Sequence, residues 1–201
     1  MYAQLDEEAV IDLLFPNVKS GTYVDIGAGS VPESNTYKYY QMGWRGLLVE
    51  PRPDVVEELR TLRPRDVIVQ AAIGDLDGEV EMYHCGTLTR LTPMGADEPV
   101  ALRCPCLTMP TLLERFPEFL AVNFASIDVE GAEEKVLSCT DFEAFRPDVL
   151  IVEYNTVGLS TDTREAWEPH LLPCYEPVYY NGVNGFYIRR AVARPRAAEG
   201  G

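Results

Sequence analysis

Acidic residues recur in this sequence where short apolar runs end. Asp25 lies in residues 22–26 (TYVDI), Glu50 closes 46–50 (GLLVE), Asp128 lies in 124–129 (FASIDV) and Glu153 closes 149–153 (VLIVE). A carboxylate in an apolar strand is costly unless it is paired or hydrogen-bonded. Repeated at corresponding strand ends, it marks the edge of a sheet where ligands bind. The chemistry open to such a set is hydrogen-bond acceptance from hydroxyls, proton removal, and ligation of a hard divalent cation through oxygen.

The first acid runs at once into a glycine turn, Val24-Asp25-Ile26-Gly27-Ala28-Gly29. Glycine there permits positive φ and lets a ligand come close to the backbone. The third glycine of a dinucleotide fingerprint would fall at position 32, which is Pro32. Its absence argues against NAD or FAD and for an adenosyl ligand without phosphates. Glu50 lies roughly 20 residues further on, where Rossmann-like sites accept ribose hydroxyls. A carboxylate there also repels the 2′-phosphate of NADP. The competing reading of Glu50 is a salt bridge with Arg52 or Arg45. In Asp128-Val129-Glu130-Gly131-Ala132-Glu133, Asp128 and Glu130 precede a helix, and Gly131 allows the tight turn. Glu133 and Glu134 read as first-turn acids favoured by the helix dipole. Asp128, Glu130, Glu153 and His84 are the candidate bases, although neither His84 nor His170 has a motif around it. If a metal binds, Asp128, Glu153 and Asn155 are its expected ligands.

The elements that would position these residues follow from periodicity. Residues 22–26, 46–50, 67–70, 124–129 and 149–153 read as strands, and 5–14, 33–42, 53–62 and 132–138 as helices. Apolar strands alternating with helices predict an α/β, Rossmann-like fold whose mostly parallel sheet carries helices on both faces. Residues 79–84 and 100–107 break the rhythm as an antiparallel hairpin in an irregular insertion, about 79–107, with a helix over 109–116. A C-terminal antiparallel hairpin pairs 178–180 with 185–189 across Asn181-Gly182-Val183-Asn184. One domain is expected over 1–190 and a flexible tail over 191–201. Tyr37, Tyr39 and Tyr40 suit a packed helix face or a stacking surface for a sugar.

Composition narrows the partners. Among 201 residues, 32 are acidic and 17 basic, a net charge of −15. That field disfavours nucleic acid and anionic membranes, and tolerates a cationic ligand or a neutral polar substrate. Five scattered cysteines build no disulfide framework, Cys104-Pro105-Cys106 lacks the spacing of a redox pair, and no run is apolar enough to span a bilayer. A cytoplasmic protein is expected.

The ordered motifs resemble FkbM-type methyltransferases. They run from Asp25-Ile26-Gly27-Ala28-Gly29 through Ser34-Asn35-Thr36, Gly43-Trp44-Arg45-Gly46 and Val49-Glu50-Pro51 to Ala72-Ile73-Gly74-Asp75 with Gly78. Ile127-Asp128-Val129-Glu130-Gly131-Ala132-Glu133, Arg146-Pro147, Ile151-Val152-Glu153 and Asn184-Gly185-Phe186-Tyr187-Ile188 complete the series. Gly29, where many relatives have asparagine, and Pro32 depart from the pattern. The resemblance implies a class I fold using S-adenosylmethionine to O-methylate hydroxyls of sugars, polysaccharides or natural products. It implies that Asp25, Gly27 and Gly29 line the methionine moiety, Glu50 the ribose, and Ile73 with Asp75 the adenine. Asp128 would sit nearest the transferred methyl. Asp75 is equally explained as a turn residue. A wall of the acceptor pocket is expected from Tyr83, His84, Thr87 and Arg90. Two other classes compete: a nicotinamide-dependent sugar oxidoreductase, which lacks here the third glycine and a Tyr-x-x-x-Lys pair, and a non-catalytic adenosyl-binding module, which would not need Asp128. The oligomeric state is not legible from sequence.

Overall fold

Apolar runs that are buried on both sides pair in parallel, and in this chain they build the centre of a seven-stranded sheet. The computed structural model describes residues 6–31, 34–85, 88–91, 93, 95, 97–155 and 162–190, with the side chains of 84, 85 and 88 outside the description. The strands are β1 (Thr22–Ile26), β2 (Arg45–Glu50), β3 (Val67–Gln70), β8 (Phe124–Ile127), β9 (Val149–Glu153), β10 (Tyr175–Tyr180) and β11 (Asn184–Arg189), in the order β10-β11-β9-β8-β1-β2-β3. β3, β2, β1, β8 and β9 are parallel; β11 runs antiparallel to β9, and β10 to β11. The mostly parallel sheet and terminal hairpin are those predicted. The order reverses between β1 and β8, which opens the crevice where an α/β sheet takes its ligand.

Alternation along the strands sorts the core into two layers. Val24, Ile26, Leu47, Val49, Ala125 and Ile127 face α4 (Met109–Arg115), α5 (Glu133–Ser138) and α6 (Arg164–Leu171) through Leu112, Val136 and Trp167. Tyr23, Leu48, Phe124 and Ile151 face α1 (Glu7–Leu14), α2 (Tyr37–Gln41) and α3 (Pro53–Leu62) through Ile11, Tyr39 and Leu59. Tyr39 and Tyr40 are buried there with Trp44, so the packed-face reading holds for both.

The insertion forms a sheet of its own. β4 (Ala72–Ile73), β5 (Gly78–Cys85), β6 (Leu88–Arg90) and β7 (Val100–Leu107) take the order β4-β7-β5-β6, with β5 antiparallel to β7 over residues 78–83. Cys104 and Cys106 are buried free thiols in its core with Ala72 and Met82. β4 follows β3 after a single residue, which ties the insertion to the edge of the main sheet.

Two elements differ from expectation. The helix expected over 33–42 begins only at Tyr37, because Ser34 and Thr36 bond elsewhere: the Thr36 N–H donates to Ser34 Oγ (3.2 Å) and Thr36 Oγ1 to Asp25 Oδ2 (2.6 Å). Short hydroxyl side chains compete with helix in this way. The eight-residue helix α6 was not foreseen, since Pro169 interrupts it and only Trp167 and Leu171 are buried. Trp167 anchors it by donating from Nε1 to Thr163 Oγ1 (3.0 Å). No helix among the described residues is long and apolar enough to cross a membrane.

Arg63, fully buried, binds the loop between β1 and α2 to the sheet. Its Nε donates to Asp66 Oδ2 (2.8 Å), Nη1 to Ser34 Oγ (3.1 Å), and Nη2 to Thr36 Oγ1 (2.9 Å) and the Tyr23 hydroxyl (3.0 Å). The Asp66 carboxylate is equally buried and also accepts from the Gly46 N–H (2.7 Å). Removing one member of a buried pair leaves an uncompensated charge, at a cost of about 3–5 kcal/mol. Arg63→Met should therefore lower unfolding free energy by about that amount in urea titration. A loss below about 1 kcal/mol, the scale of an exposed pair, would show that the network is not structural.

Candidate active site

The geometry of the crevice starts from one glycine. Gly27 has φ +79°, and a Cβ there would lie 1.7 Å from the carbonyl oxygen of Asp128. Only glycine lets the ends of β1 and β8 come this close. The Gly27 and Ala28 N–H groups both donate to the Val49 carbonyl (2.9 and 3.1 Å), which pins the turn to β2. Gly29, at φ +59°, donates its N–H to Glu50 Oε2 (3.0 Å), and the Arg52 N–H donates to Oε1 (2.9 Å). Glu50 is thus aimed by backbone from two loops. The Arg52 guanidinium pairs with Asp54 (2.6 Å) while its charge also favours the Glu50 carboxylate, and Arg45 lies over the Phe119 ring (5.8 Å), so backbone anchoring adds to the charge interaction with Arg52. Burial pushes the Glu50 carboxyl above its ordinary range, and the two N–H bonds oppose that rise. A carboxylate has about four acceptor positions, so two remain for ligand hydroxyls.

A cavity of about 370 Å³ opens over this turn, the size of small-ligand sites. Gly27, Gly29, Glu50, Ile73 and Asp128, all singled out from sequence, line it, together with Glu130. Met82, Thr89 and Leu91 close it from the small sheet. Of the residues expected to form an acceptor wall there, Arg90 instead turns inward onto Glu98 (2.5 Å) and Tyr83 lines a separate hollow. The side chains of His84 and Thr87 lie outside the described residues, as does Pro32.

Asp25 is not on the lining. It points to the α2–α3 side, where it accepts from Thr36 Oγ1. Burial raises its carboxyl to about 6, against the opposing pull of Thr36 and Arg63. Through Thr36 it holds the loop that follows the glycine turn. Asp75 is also corrected: it is exposed on the turn after β4, beside the second hollow and away from the cavity. The turn reading of that residue stands.

The strongest electrostatic feature is a corner of carboxylates. The β8–β9 register sets Ile127 beside Val152, so the next residues, Asp128 and Glu153, are neighbours and share a hydrogen bond. Glu133 joins them, and the oxygens of the three lie within 4.8 Å of one another. Burial first, then the neighbouring acids, drives both Asp128 and Glu153 well above the carboxylate range. Asp128 Oδ1 and Glu153 Oε2 are buried with no hydrogen-bond partner among the described residues. Glu133 Oε1 accepts from the Val129 and Gly131 N–H groups (3.1 and 3.2 Å), shaping a loop in which Glu130 and Gly131 take φ of +54° and +90°. Sequence reasoning passed over Glu133 because an acid in a first helical turn already has an explanation. Its five-residue spacing from Asp128 across a glycine was the signal. Asn155, expected among metal ligands, instead donates its amide to the Gly182 carbonyl (2.9 Å).

Solved structures share this architecture. A TehB-like SAM-dependent methyltransferase from Corynebacterium glutamicum is 9% identical, with TM-score 0.51 over 93% of this chain and 89% of that one. The precorrin-6Y C5,15-methyltransferase from Geobacter metallireducens is 14% identical, with TM-score 0.51 over 92% and 87%. An O-methyltransferase from Bacillus cereus, solved with S-adenosylhomocysteine, is 11% identical, with TM-score 0.52 over 93% and 82%. At these identities the likeness is one of fold. Among curated protein sequences none matches this chain. The methyltransferase FkbM domain model matches residues 25–168, a span that includes the glycine turn, Glu50 and the whole acidic corner. This chain belongs to the FkbM family of S-adenosylmethionine-dependent methyltransferases.

Proposed function

We propose that the chain is an O-methyltransferase, placing the methyl group of S-adenosylmethionine on a hydroxyl of a sugar, polysaccharide or natural product. The observation that carries this reading is the acidic corner where the cavity meets the end of β8. A methyl acceptor of low acidity needs its proton taken, and carboxylates concentrated at one end of a ligand cavity are the groups to take it. The cofactor fits the residues present. Gly27 brings the ends of β1 and β8 together beside the cavity, Gly29 has open space where a Cβ would stand, Glu50 offers acceptor positions for ribose hydroxyls, and Ile73 gives an apolar wall for adenine. S-adenosylmethionine supplies an electrophilic methyl: the C–O bond forms as the C–S bond breaks, and sulfur leaves with the electron pair. The chain's own contribution is alignment and exclusion of water, worth about 7–11 kcal/mol where two reactants are held in attack geometry. The acceptor's proton passes to a nearby acid: Asp128 or Glu130 on the cavity wall, or Glu153 behind Asp128. Free thiols at Cys104, Cys106, Cys139 and Cys174 suit the reducing cytoplasm as its location.

Loss of a hydrogen bond to a charged group costs about 1.5–3 kcal/mol, so Glu50→Ala should weaken cofactor binding tenfold or more. Titration calorimetry on folded wild type and variant measures it, and equal affinities would remove Glu50 from the site. Asp128→Asn keeps the side chain's shape and discards its charge. Turnover should fall by roughly 10²–10⁴, the worth of a positioned proton acceptor. Cofactor affinity in the same variant should stay close to that of the wild type. Full activity would exclude Asp128 from the chemistry. For the acceptor, labelled-methyl transfer should reach hydroxylated sugars, glycans or polyketides in a screen that also holds peptides and RNA. A net charge of −15 disfavours the phosphate-rich candidates. Transfer to peptide nitrogen or RNA alone would overturn the acceptor class and keep the methyltransferase.

A further inference from the structure

Three carboxylates whose oxygens lie within 4.8 Å of one another need a positive partner, and none of the described residues supplies one. Among the described residues no lysine, arginine or histidine forms an ion pair with Asp128, Glu133 or Glu153. Elsewhere the chain does neutralise a buried acid with its own cation, as Arg63 does for Asp66. The corner is also incompletely bonded. Glu153 is 4% exposed and its Oε2 has no hydrogen-bond partner among the described residues; Asp128 Oδ1 is likewise buried and without one. Both are on side chains of the same cluster, and buried polar atoms are otherwise nearly always satisfied. Glu133, by contrast, is held from behind by two backbone N–H groups, which fixes its place in the cluster.

We propose that Asp128, Glu133 and Glu153 bind a hard divalent cation of the Mg²⁺, Mn²⁺ or Ca²⁺ class at the end of the cavity. An all-oxygen, all-carboxylate set selects such ions over softer metals. Asn155 is not among the ligands, since its amide is turned to the Gly182 carbonyl. Of the three ligands Asp128 lines the cavity, with Glu130 on the same wall, so an ion held there borders the cavity. There the ion holds the acceptor's hydroxyl oxygen and makes its proton easier to lose, with Glu130 on the cavity wall to receive it. That catalytic use rests on the proposed O-methylation; the binding of the ion does not.

The test uses the full chain stripped with chelator and dialysed. Titration calorimetry with MgCl₂, MnCl₂ and CaCl₂ should show one saturable site for at least one ion. Thermal denaturation at saturating ion should show a midpoint raised by at least about 2 °C. Glu153→Gln and Glu133→Gln keep the packing while removing a charge. Each should match or exceed wild-type stability without metal, because a like-charge repulsion is gone, and each should bind the ion at least about tenfold more weakly. Should one variant fail to fold, the other gives the answer. No heat and no shift with any of the three ions would overturn the site, as would unchanged ion affinity in the folded variants. Cofactor titration on the same samples separates the outcomes: ion binding without S-adenosylmethionine binding would sink the functional reading and leave the metal site standing.

Discussion

The contact between Gly27 and the Asp128 carbonyl sets the spacing of everything at the crevice. β1 lies between β2 and β8, with Ile26 beside both Val49 and Ile127. Beyond those residues the three chains would ordinarily diverge into their loops. Here the Gly27 and Ala28 N–H groups hold to Val49, and the Asp128 N–H donates to the Ile26 carbonyl (2.9 Å), so the three strand ends stay together one residue longer. A side chain at 27 would force the end of β8 outward. Asp128 and its hydrogen bond to Glu153 would move with it, as would the wall they form. Gly29 then carries the same constraint to Glu50 through its N–H. One missing Cβ therefore fixes the distance between the acid on β2 and the acids on β8 and β9.

The buried acids divide by what neutralises them. Asp25 and Asp66 sit within reach of Arg63, and their hydrogen bonds run to Thr36, Tyr23 and Gly46, all inside the α2–α3 layer. That set closes on itself and holds the β1–α2 loop in position. Among the described residues Asp128, Glu133 and Glu153 have no such cation, and two of their oxygens have no hydrogen-bond partner. A closed network is what stability asks of buried polar groups, and an open one is what a binding site leaves for its ligand. The same contrast separates Asp25 from Asp128, which read alike in sequence although Asp25 lies level with Ser126 inside the sheet and Asp128 just beyond the end of β8.

Legibility followed from how local each signal is. The parallel core was readable because residues 22–26, 46–50, 67–70, 124–129 and 149–153 are short apolar runs, and burial on both faces leaves little else for them to be. Glu50, Gly27 and Asp128 were readable because each combines a strand end with a residue type that a core would otherwise reject. Depth and surroundings were not readable: Asp128 lies beyond the end of β8, whereas Asp25 lies level with Ser126, inside the sheet, and its carboxylate joins a network centred on Arg63, 38 positions away in the chain. The late start of α2 depends on the same partner. Helix α6 carries a proline and two buried residues, too few for its periodicity to stand out. Glu133 was read as a helix-dipole acid, which it is by position. Its role in the corner arises only because the 128–133 loop folds back, with Glu130 and Gly131 at positive φ.

The order of the strands gives the cavity a direction. From β3 through β2 and β1 to β8 the strand ends present Ile73 just beyond β3, then Glu50, then Gly27 and Gly29, then Asp128, with Glu153 one strand further. Adjacent strands are about 4.8 Å apart, so three steps from β3 to β8 cover about 14 Å. The apolar end is closed by Met82 and Leu91 from the small sheet, and the opposite end carries the acids. A ligand with a flat apolar ring at one end, a pair of hydroxyls in the middle and a positive centre at the other matches this sequence of environments in only one orientation. Reversed, it would put its ring among buried carboxylates and its charge against Met82. S-adenosylmethionine has that polarity, with adenine, ribose and sulfonium in order. The insertion at 79–107, which breaks the alternation of strand and helix, is therefore part of what makes the site directional: without Met82, Thr89 and Leu91, the β3 end would open to water and the asymmetry would be lost.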